Sequence, residues 1–236
     1  GERRHGAGDR LAAGHPARGN PVCHHLPDRR HFRHDARFVL GNEALGEHIT
    51  YAKEVKAIEA ELSKPENSAD IKIRDLLIDG INKKEGKIDY VVNSAGILRM
   101  GKLLDRDIED VKRDIEINYI GAINVSKASI PYLKKTQGGI LQFTSSSYTR
   151  GRSLYSTYSS TKAGIVNLTQ ALAEELSSDK IRINVINPER TATPMRFKAF
   201  GKEPKNTLLS PQKAAEASLK TLLSDLTGEV IDVRRS

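Results

Sequence analysis

Ser145, Tyr158 and Lys162 lie within one stretch, SSSYTRGRSLYSTYSSTK, over residues 145–162. The tyrosine and lysine are four residues apart, a spacing that puts both on one face of a helix with their side chains in reach of each other. An ammonium beside a phenol favours the phenolate, so the tyrosine pKa is expected to fall toward neutrality. A tyrosine tuned in that way gives or takes a proton at a carbonyl or alcohol oxygen.

Such a pair needs elements to hold it, and the chain alternates strand and helix from about residue 69 onward. Ile88-Asp89-Tyr90-Val91-Val92 reads as a strand that runs into Asn93-Ser94-Ala95-Gly96, a small-residue turn that lets backbone approach a ligand closely. Gly139 to Thr144 is a second strand, ending at Ser145. Ile181 to Ile186 is a third, stopped by Asn187-Pro188, and residues 228–233 form a last one. Between them, 106–135 reads as one long helical region with Asn118 in its middle and a break near Pro131. A helix over 155–177 has Ile165, Leu168, Leu172 and Leu176 as its buried stripe. Residues 189–210 read as loop, and Ser210-Pro211 opens a helix to about Leu223. Upstream, a helix over 51–63 buries Val55, Ile58 and Leu62, followed by a short strand over 69–73 and a helix over 74–84.

This alternation argues for a parallel sheet covered by helices on both faces, a doubly wound, Rossmann-like α/β fold. Ligands of such sheets lie beyond the carboxyl ends of the strands. Asn93–Gly96, Ser145 and Asn187-Pro188 each follow a strand directly, so they are expected to share one rim. Taken alone, Asn118 reads as a solvent-facing or core-bridging asparagine.

Composition narrows the field. The 236 residues suffice for one large α/β domain, and no run approaches the roughly 20 apolar residues of a membrane span. With no apolar signal core at the N-terminus and one cysteine, Cys23, the expectation is a cytoplasmic protein without intramolecular disulfides. The net charge of +8 is scattered over amphipathic helices, and no aromatic residues are interleaved with it as a base-stacking platform would require. Nucleic acid is therefore not an expected partner; anionic substrates or cofactor phosphates are.

Residues 1–48 differ from the rest. They hold all seven histidines and the cysteine, and their basic side chains are all arginine until Lys53. Cys23, His24, His25, His31 and His34 show no recognised metal-ligand spacing, so no metal is expected. Apart from Phe38-Val39-Leu40 the segment has little apolar periodicity, and it is expected to be poorly ordered or irregularly packed. The domain boundaries are accordingly 1–48 for an aberrant segment and 49–236 for a single α/β domain.

With these residues assembled, the chain resembles the short-chain dehydrogenase/reductase family over roughly residues 69–236. Asn93-Ser94-Ala95-Gly96 is similar to the family's N-x-A-G turn, and Asn118 to its helix asparagine. Ser145 matches its catalytic serine, and Tyr158 with Lys162 its Y-x-x-x-K pair. The resemblance implies a catalytic set of Asn118, Ser145, Tyr158 and Lys162. It implies a cofactor site built from Asn93, Ala95, Gly96, Tyr158, Lys162, Pro188, Thr191 and Thr193. Tyr158 would be the general acid in reduction or the base in oxidation, with Lys162 lowering its pKa and binding the nicotinamide ribose. Ser145 would hold the substrate oxygen, and Asn118 would position a water leading from Lys162 to solvent. NADP is the expected cofactor, with NAD as the other choice. A small carbonyl or alcohol is the expected substrate, and a homodimer or homotetramer the expected assembly.

Three departures from the family pattern stand out. The glycine-rich turn, T-G-x-x-x-G-x-G, has only Gly6 to Gly14 as a candidate, with the wrong spacing and no apolar strand before it. Residues 1–48 thus stand where the first βαβ unit belongs. Glu189 replaces a usual glycine, and Thr191 a usual aliphatic residue. The run from Asn187 to Met195 is similar to the reductase domains associated with CDP-ribitol synthesis, which reduce a pentulose phosphate such as ribulose 5-phosphate. Arg190, Arg196, Lys198, Lys202 and Lys205 suit a phosphorylated substrate of that kind. A 3-oxoacyl-thioester reductase and a catalytically silent relative with impaired cofactor binding are the alternatives.

Overall fold

The computed structural model describes residues 38–41, 78–83 and 85–235. Among the described residues, five strands form one parallel sheet in sequential order: β1 (Phe38–Gly41), β2 (Tyr90–Asn93), β3 (Gly139–Phe143), β4 (Arg182–Pro188) and β5 (Val230–Val233). The register sets Gly41 opposite Asn93, Asn93 opposite Gln142, and Phe143 opposite Ile186. The expected strands at 88–92, 139–144, 181–186 and 228–233 are therefore present and parallel. Phe38–Gly41, within the segment expected to pack irregularly, is a strand beside β2. The helix expected over 51–63, the strand over 69–73 and the histidine-rich stretch fall outside the described residues.

The period of two along each strand sorts the core onto two faces. Val91, Ile140 and Ile183 point to one side, where they pack with Leu133, Ala173, Leu176 and Ile181. Val185, on the same side, meets Ala122, Ile165 and Val166. Val92, Leu141, Ile186 and Val233 point to the other and meet Leu209, Ala214 and Leu222. Each fully buried aliphatic side chain contributes about 1.5–3 kcal/mol relative to exposure, so both faces must be covered.

The helices that cover them are α1 (Ile108–Ile115), α2 (Gly121–Thr136), α3 (Ser156–Glu175), α4 (Pro194–Phe200) and α5 (Pro211–Leu222). A π-helical turn, Glu116–Ile120, joins α1 to α2, so the region expected as one helix over 106–135 is continuous but widened by one turn of fewer degrees per residue, within which Asn118 is buried. Pro131 does not break it; the helix continues to Thr136. Pro131 and Lys127 are both exposed, so the carbonyl deprived of its N–H partner faces water rather than the core. The buried stripe of α3 is Lys162, Ile165, Val166, Thr169 and Ala173, with Leu168 only half-buried. The expected stripe is thus rotated, because polar residues take core positions.

The segment expected as loop over 189–210 contains α4. Thr193 caps it by accepting from the Arg196 N–H (3.3 Å), Pro194 takes the first position, and Gly201 ends it at φ 75°. Its two ends are stapled by Leu209 N–H to Arg190 O (2.7 Å) and Ala192 N–H to Leu209 O (2.9 Å). Ser210 caps α5 as expected, accepting from Lys213 N–H at 3.2 Å.

Helix α2 leaves through Gln137 in the left-handed region (φ 52°), and Gly138 then passes against β2. A Cβ on Gly138 would lie 1.9 Å from the Asp89 carbonyl oxygen, which Gly139 N–H already engages at 3.0 Å. Gly138→Ala is therefore expected to lower stability by about 3 kcal/mol or more. Gly151→Ala, where a Cβ meets nothing within 4 Å, should change it by less than about 0.5 kcal/mol. Urea unfolding of the two variants beside the parent checks the contrast.

Candidate active site

The carboxyl end of β3 is the anchor. Its last residue, Phe143, accepts a hydrogen bond from Lys162 Nζ (2.9 Å), and Thr144 Oγ1 donates to the Lys162 carbonyl (2.7 Å). The lysine is thus tied to one strand end by both its side chain and its backbone, and is only 4% exposed. One residue further, Ser145 caps a short 3-10 turn. Its Oγ stands 3.3 Å from both the N–H and the hydroxyl of Ser147.

Tyr158 stands one turn before Lys162 on α3, with the ammonium 5.6 Å from its ring centroid. Tyr155 packs edge-on against it (centroids 6.2 Å apart, planes at 67°), and Phe200 of α4 packs edge-on against Tyr155 (5.8 Å, 87°). An aromatic chain therefore links α4 to the candidate proton donor.

Asn118 is buried in the π turn and faces the loop after β2. Its Oδ1 accepts from Ile97 N–H (2.7 Å) and its Nδ2 donates to Ile97 O (2.9 Å). Both ends of the amide are engaged with one residue, so the side chain acts as a clamp on the 94–97 loop. Gly96 lies between the two halves of the site. A Cβ there would be 3.1 Å from Asn118 Oδ1 and 3.5 Å from Lys162 Nζ. A side chain here would crowd both the Asn118 amide and the Lys162 ammonium, so glycine is what lets the loop backbone run beside them; a nicotinamide nucleoside is the group the sequence leads one to expect at this rim. The residues expected to hold it there are Gly96, Tyr158 and Lys162. The candidate glycine-rich turn at Gly6–Gly14 lies outside the described residues.

The other expected cofactor residues stand along the same rim. Asn93 ends β2, but its amide turns inward and donates to Gln142 Oε1 (2.8 Å); Gln142 in turn donates to Ser126 Oγ (2.9 Å) and Ser126 to Ala122 O (2.8 Å). Ala95 is exposed in the loop that follows. Pro188 ends β4, and after it Thr191 donates its hydroxyl to Glu189 O (2.7 Å) while Thr193 caps α4. Glu189, the departure from glycine, accepts from Arg235 N–H at 2.9 Å through its carboxylate. The structure thus brings Asn118, Ser145, Tyr158, Lys162 and Gly96 together, and leaves Pro188, Thr191 and Thr193 on the neighbouring strand end.

Sequence reasoning passed over Gln142, Thr144 and Tyr155. The signal for Gln142 was a single amide within an apolar strand, a position that must be either exposed or hydrogen-bonded. Also unread was the ionic cluster that fastens this loop to α1. Arg106 and Arg99 approach the buried Asp114 at 2.8 and 3.4 Å, and Arg99 reaches Asp110 at 2.9 Å.

The electrostatics correct one expectation. Burial pushes the Tyr158 hydroxyl up to about 12, against the opposing pull of its hydrogen bond with Ser145. Burial likewise lowers Lys162 to about 8. The phenol is not driven toward neutrality, because the ammonium bonds to Phe143 O and is itself desolvated, so burial outweighs charge attraction. The folded chain therefore sheds a proton that the unfolded chain keeps between about pH 8 and 10.5, and this group's contribution to stability rises with pH across that window. Tyr158 acts oppositely, but only above about pH 10. The difference in unfolding free energy between the parent and Lys162→Met should grow between about pH 7.5 and 9.5, at up to about 1.4 kcal/mol per pH unit. A difference that stays flat in urea titrations at the two pH values would contradict this account.

Known proteins resemble this chain in sequence and in fold. The family profile described as short chain dehydrogenase matches residues 30–204, beginning upstream of the boundary expected at residue 49. The bifunctional ribulose 5-phosphate reductase/CDP-ribitol pyrophosphorylase Bcs1 of Haemophilus influenzae is 47% identical over 198 residues, which are 83% of this chain and 42% of that protein. The 3-oxoacyl-[acyl-carrier-protein] reductase FabG of Thermotoga maritima is 31% identical over 170 residues, 66% of this chain and 69% of that one. This chain therefore spans less than half of the first relative's length. Among solved structures, the 3-ketoacyl-(acyl-carrier-protein) reductase of Brucella melitensis complexed with NADH superposes with a TM-score of 0.64 at 26% identity, covering 70% of this chain and 73% of that one. The protein belongs to the short-chain dehydrogenase family.

Proposed function

We propose that the chain is a nicotinamide-dependent reductase of a small carbonyl compound, with Asn118, Ser145, Tyr158 and Lys162 as its working set. The convergence of Ser145, Tyr158 and Lys162 at the carboxyl end of β3, with Tyr158 hydrogen-bonded to Ser145 and the Lys162 ammonium 5.6 Å from the phenol ring, carries this reading. The nicotinamide cofactor, when bound, supplies the hydride. Tyr158, protonated throughout the neutral range by its raised pKa, gives its proton to the substrate oxygen as the carbonyl becomes an alcohol. Ser145 Oγ donates a hydrogen bond to that oxygen as charge develops on it. Lys162, still largely an ammonium at neutral pH, favours the phenolate left behind. Asn118 holds the 94–97 loop, and with it Gly96 beside the Lys162 ammonium, by clamping Ile97.

Ribulose 5-phosphate is the substrate we favour, on the 47% identity to a protein named for its reduction. A 3-oxoacyl thioester is the next choice, on the weaker likeness to FabG. The scattered basic charge favours NADP over NAD, and exposed Leu103, Leu104 and Ile108 are consistent with a homodimer or homotetramer. Among the described residues no helix is long and apolar enough to cross a membrane, in keeping with the cytoplasmic setting we assign. One observation favours a second reading, a silent relative: residues 1–48 contain no T-G-x-x-x-G-x-G run to receive the cofactor pyrophosphate.

Tyr158→Phe should cut NADPH oxidation with ribulose 5-phosphate by at least about 10²-fold, the usual contribution of a positioned acid. Its far-ultraviolet dichroism should stay that of the parent. Unchanged turnover in this variant would refute the assigned role. Calorimetry with NADPH separates the two readings, since a folded parent that releases no heat at millimolar cofactor is the silent relative.

A further inference from the structure

Glu203 lies just beyond α4 and makes a two-pronged ion pair with Arg196, Nε to Oε2 at 2.6 Å and Nη2 to Oε1 at 3.0 Å. Arg190, at the other end of the same segment, reaches Glu203 Oε1 at 3.5 Å. The Arg196 and Glu203 side chains are 18% and 19% exposed, so the pair is largely enclosed yet open to solvent on one side. Two guanidinium groups share one carboxylate, which leaves one positive charge unbalanced at the centre of the cluster. Exposed Lys198 and Lys202 add two more nearby. The arginines hold the Glu203 carboxyl below its ordinary range, chiefly through the Arg196 hydrogen bond.

Geometry ties this cluster to the candidate active site. The Arg196 guanidinium lies over the Phe200 ring at 4.3 Å, Phe200 packs on Tyr155, and Tyr155 packs on Tyr158. The staple between Leu209 and residues 190–192 keeps Arg190 and Arg196 on one closed segment above the strand ends.

We infer that Arg190 and Arg196 form the site for the substrate's phosphate group, and that the Glu203 carboxylate is a built-in stand-in that the phosphate displaces. The inference rests on the sugar-phosphate reading given above. A carboxylate presents two oxygens and one charge. A phosphate monoester presents three oxygens and about −1.5 to −2 charge, so it neutralises both guanidinium groups where Glu203 neutralises one. Arginine forks match phosphate as they match carboxylate, so the same two side chains accept either anion without rebuilding. A substrate lacking phosphate would have to leave Glu203 in place, and the segment would then discriminate against it.

The role predicts opposite signs for the two kinds of variant, which a merely structural clasp does not. Arg196→Ala and Arg190→Ala should each weaken binding of inorganic phosphate and of ribulose 5-phosphate, measured by calorimetry without cofactor, by at least tenfold. Each should also lower the ratio of kcat/KM for ribulose 5-phosphate over ribulose by a similar factor. Glu203→Gln, which keeps the shape and removes the competing charge, should tighten phosphate binding at least threefold. Thermal unfolding of each variant reports whether it is folded, and if Arg196→Ala is not, Arg190→Ala and Glu203→Gln decide. Weaker phosphate binding in Glu203→Gln, or unchanged binding in the arginine variants, overturns the inference. If ribulose 5-phosphate is not reduced by the parent, the substrate reading above falls, while the phosphate titration still decides the anion site.

Discussion

Lys162 carries its ammonium into a place where water is scarce, and the site is arranged around that difficulty. A buried lysine must either lose its proton or find oxygen partners. The partner here is the last carbonyl of β3, a group that the end of a strand leaves available. Thr144 fastens the lysine's own carbonyl to the same place, so the first turns of α3 cannot shift relative to the sheet without breaking both bonds. Tyr158 inherits its position from that anchorage. Gly96 is required because the ammonium and the Asn118 amide fill the space a side chain would take.

The same logic extends into the sheet. Asn93, Gln142 and Ser126 form a buried line of hydrogen bonds across β2, β3 and α2 that ends on the Ala122 carbonyl. Such a line is satisfied in only one register. A slip of one residue would turn Gln142 to the opposite face and leave Asn93 without its acceptor. The apolar clusters supply most of the stabilising burial, while the polar line determines which residues of the strand ends face one another.

How far the sequence revealed this follows from which residues obey simple rules. The strands were legible because they are apolar runs ending in small or breaking residues, and their shared rim followed from the parallel order alone. The buried face of α3 was misplaced because Lys162 takes a core position through a partner that spacing cannot show, and Thr169 takes one with its hydroxyl unpartnered. Helix α4 was hidden within a charged segment, although Thr193, Pro194 and Gly201 give it a cap, a first residue and a stop. The ionisation of Tyr158 was misjudged for a related reason. Proximity of lysine and tyrosine is visible in a four-residue spacing, but the depth at which both are buried is not.

The π turn at Glu116–Ile120 bears on how this chain can vary. Each residue of an α-helix turns the chain by about 100°, and a π turn is widened to hold one residue more than an α turn. Losing one residue there would close it to a regular α-helical turn and leave α2 in phase, with Ser126 still on the Gln142 amide and Leu133 in the core; Ile97 is released only if Asn118 itself is the residue lost. Losing one residue from α2 ahead of Ser126 meets no such slack and would rotate the rest of the helix by more than a quarter turn, carrying both side chains away. Length changes within α2 are therefore errors of phase, and the lineage of such a chain should tolerate a single-codon change in the π turn better than one in α2.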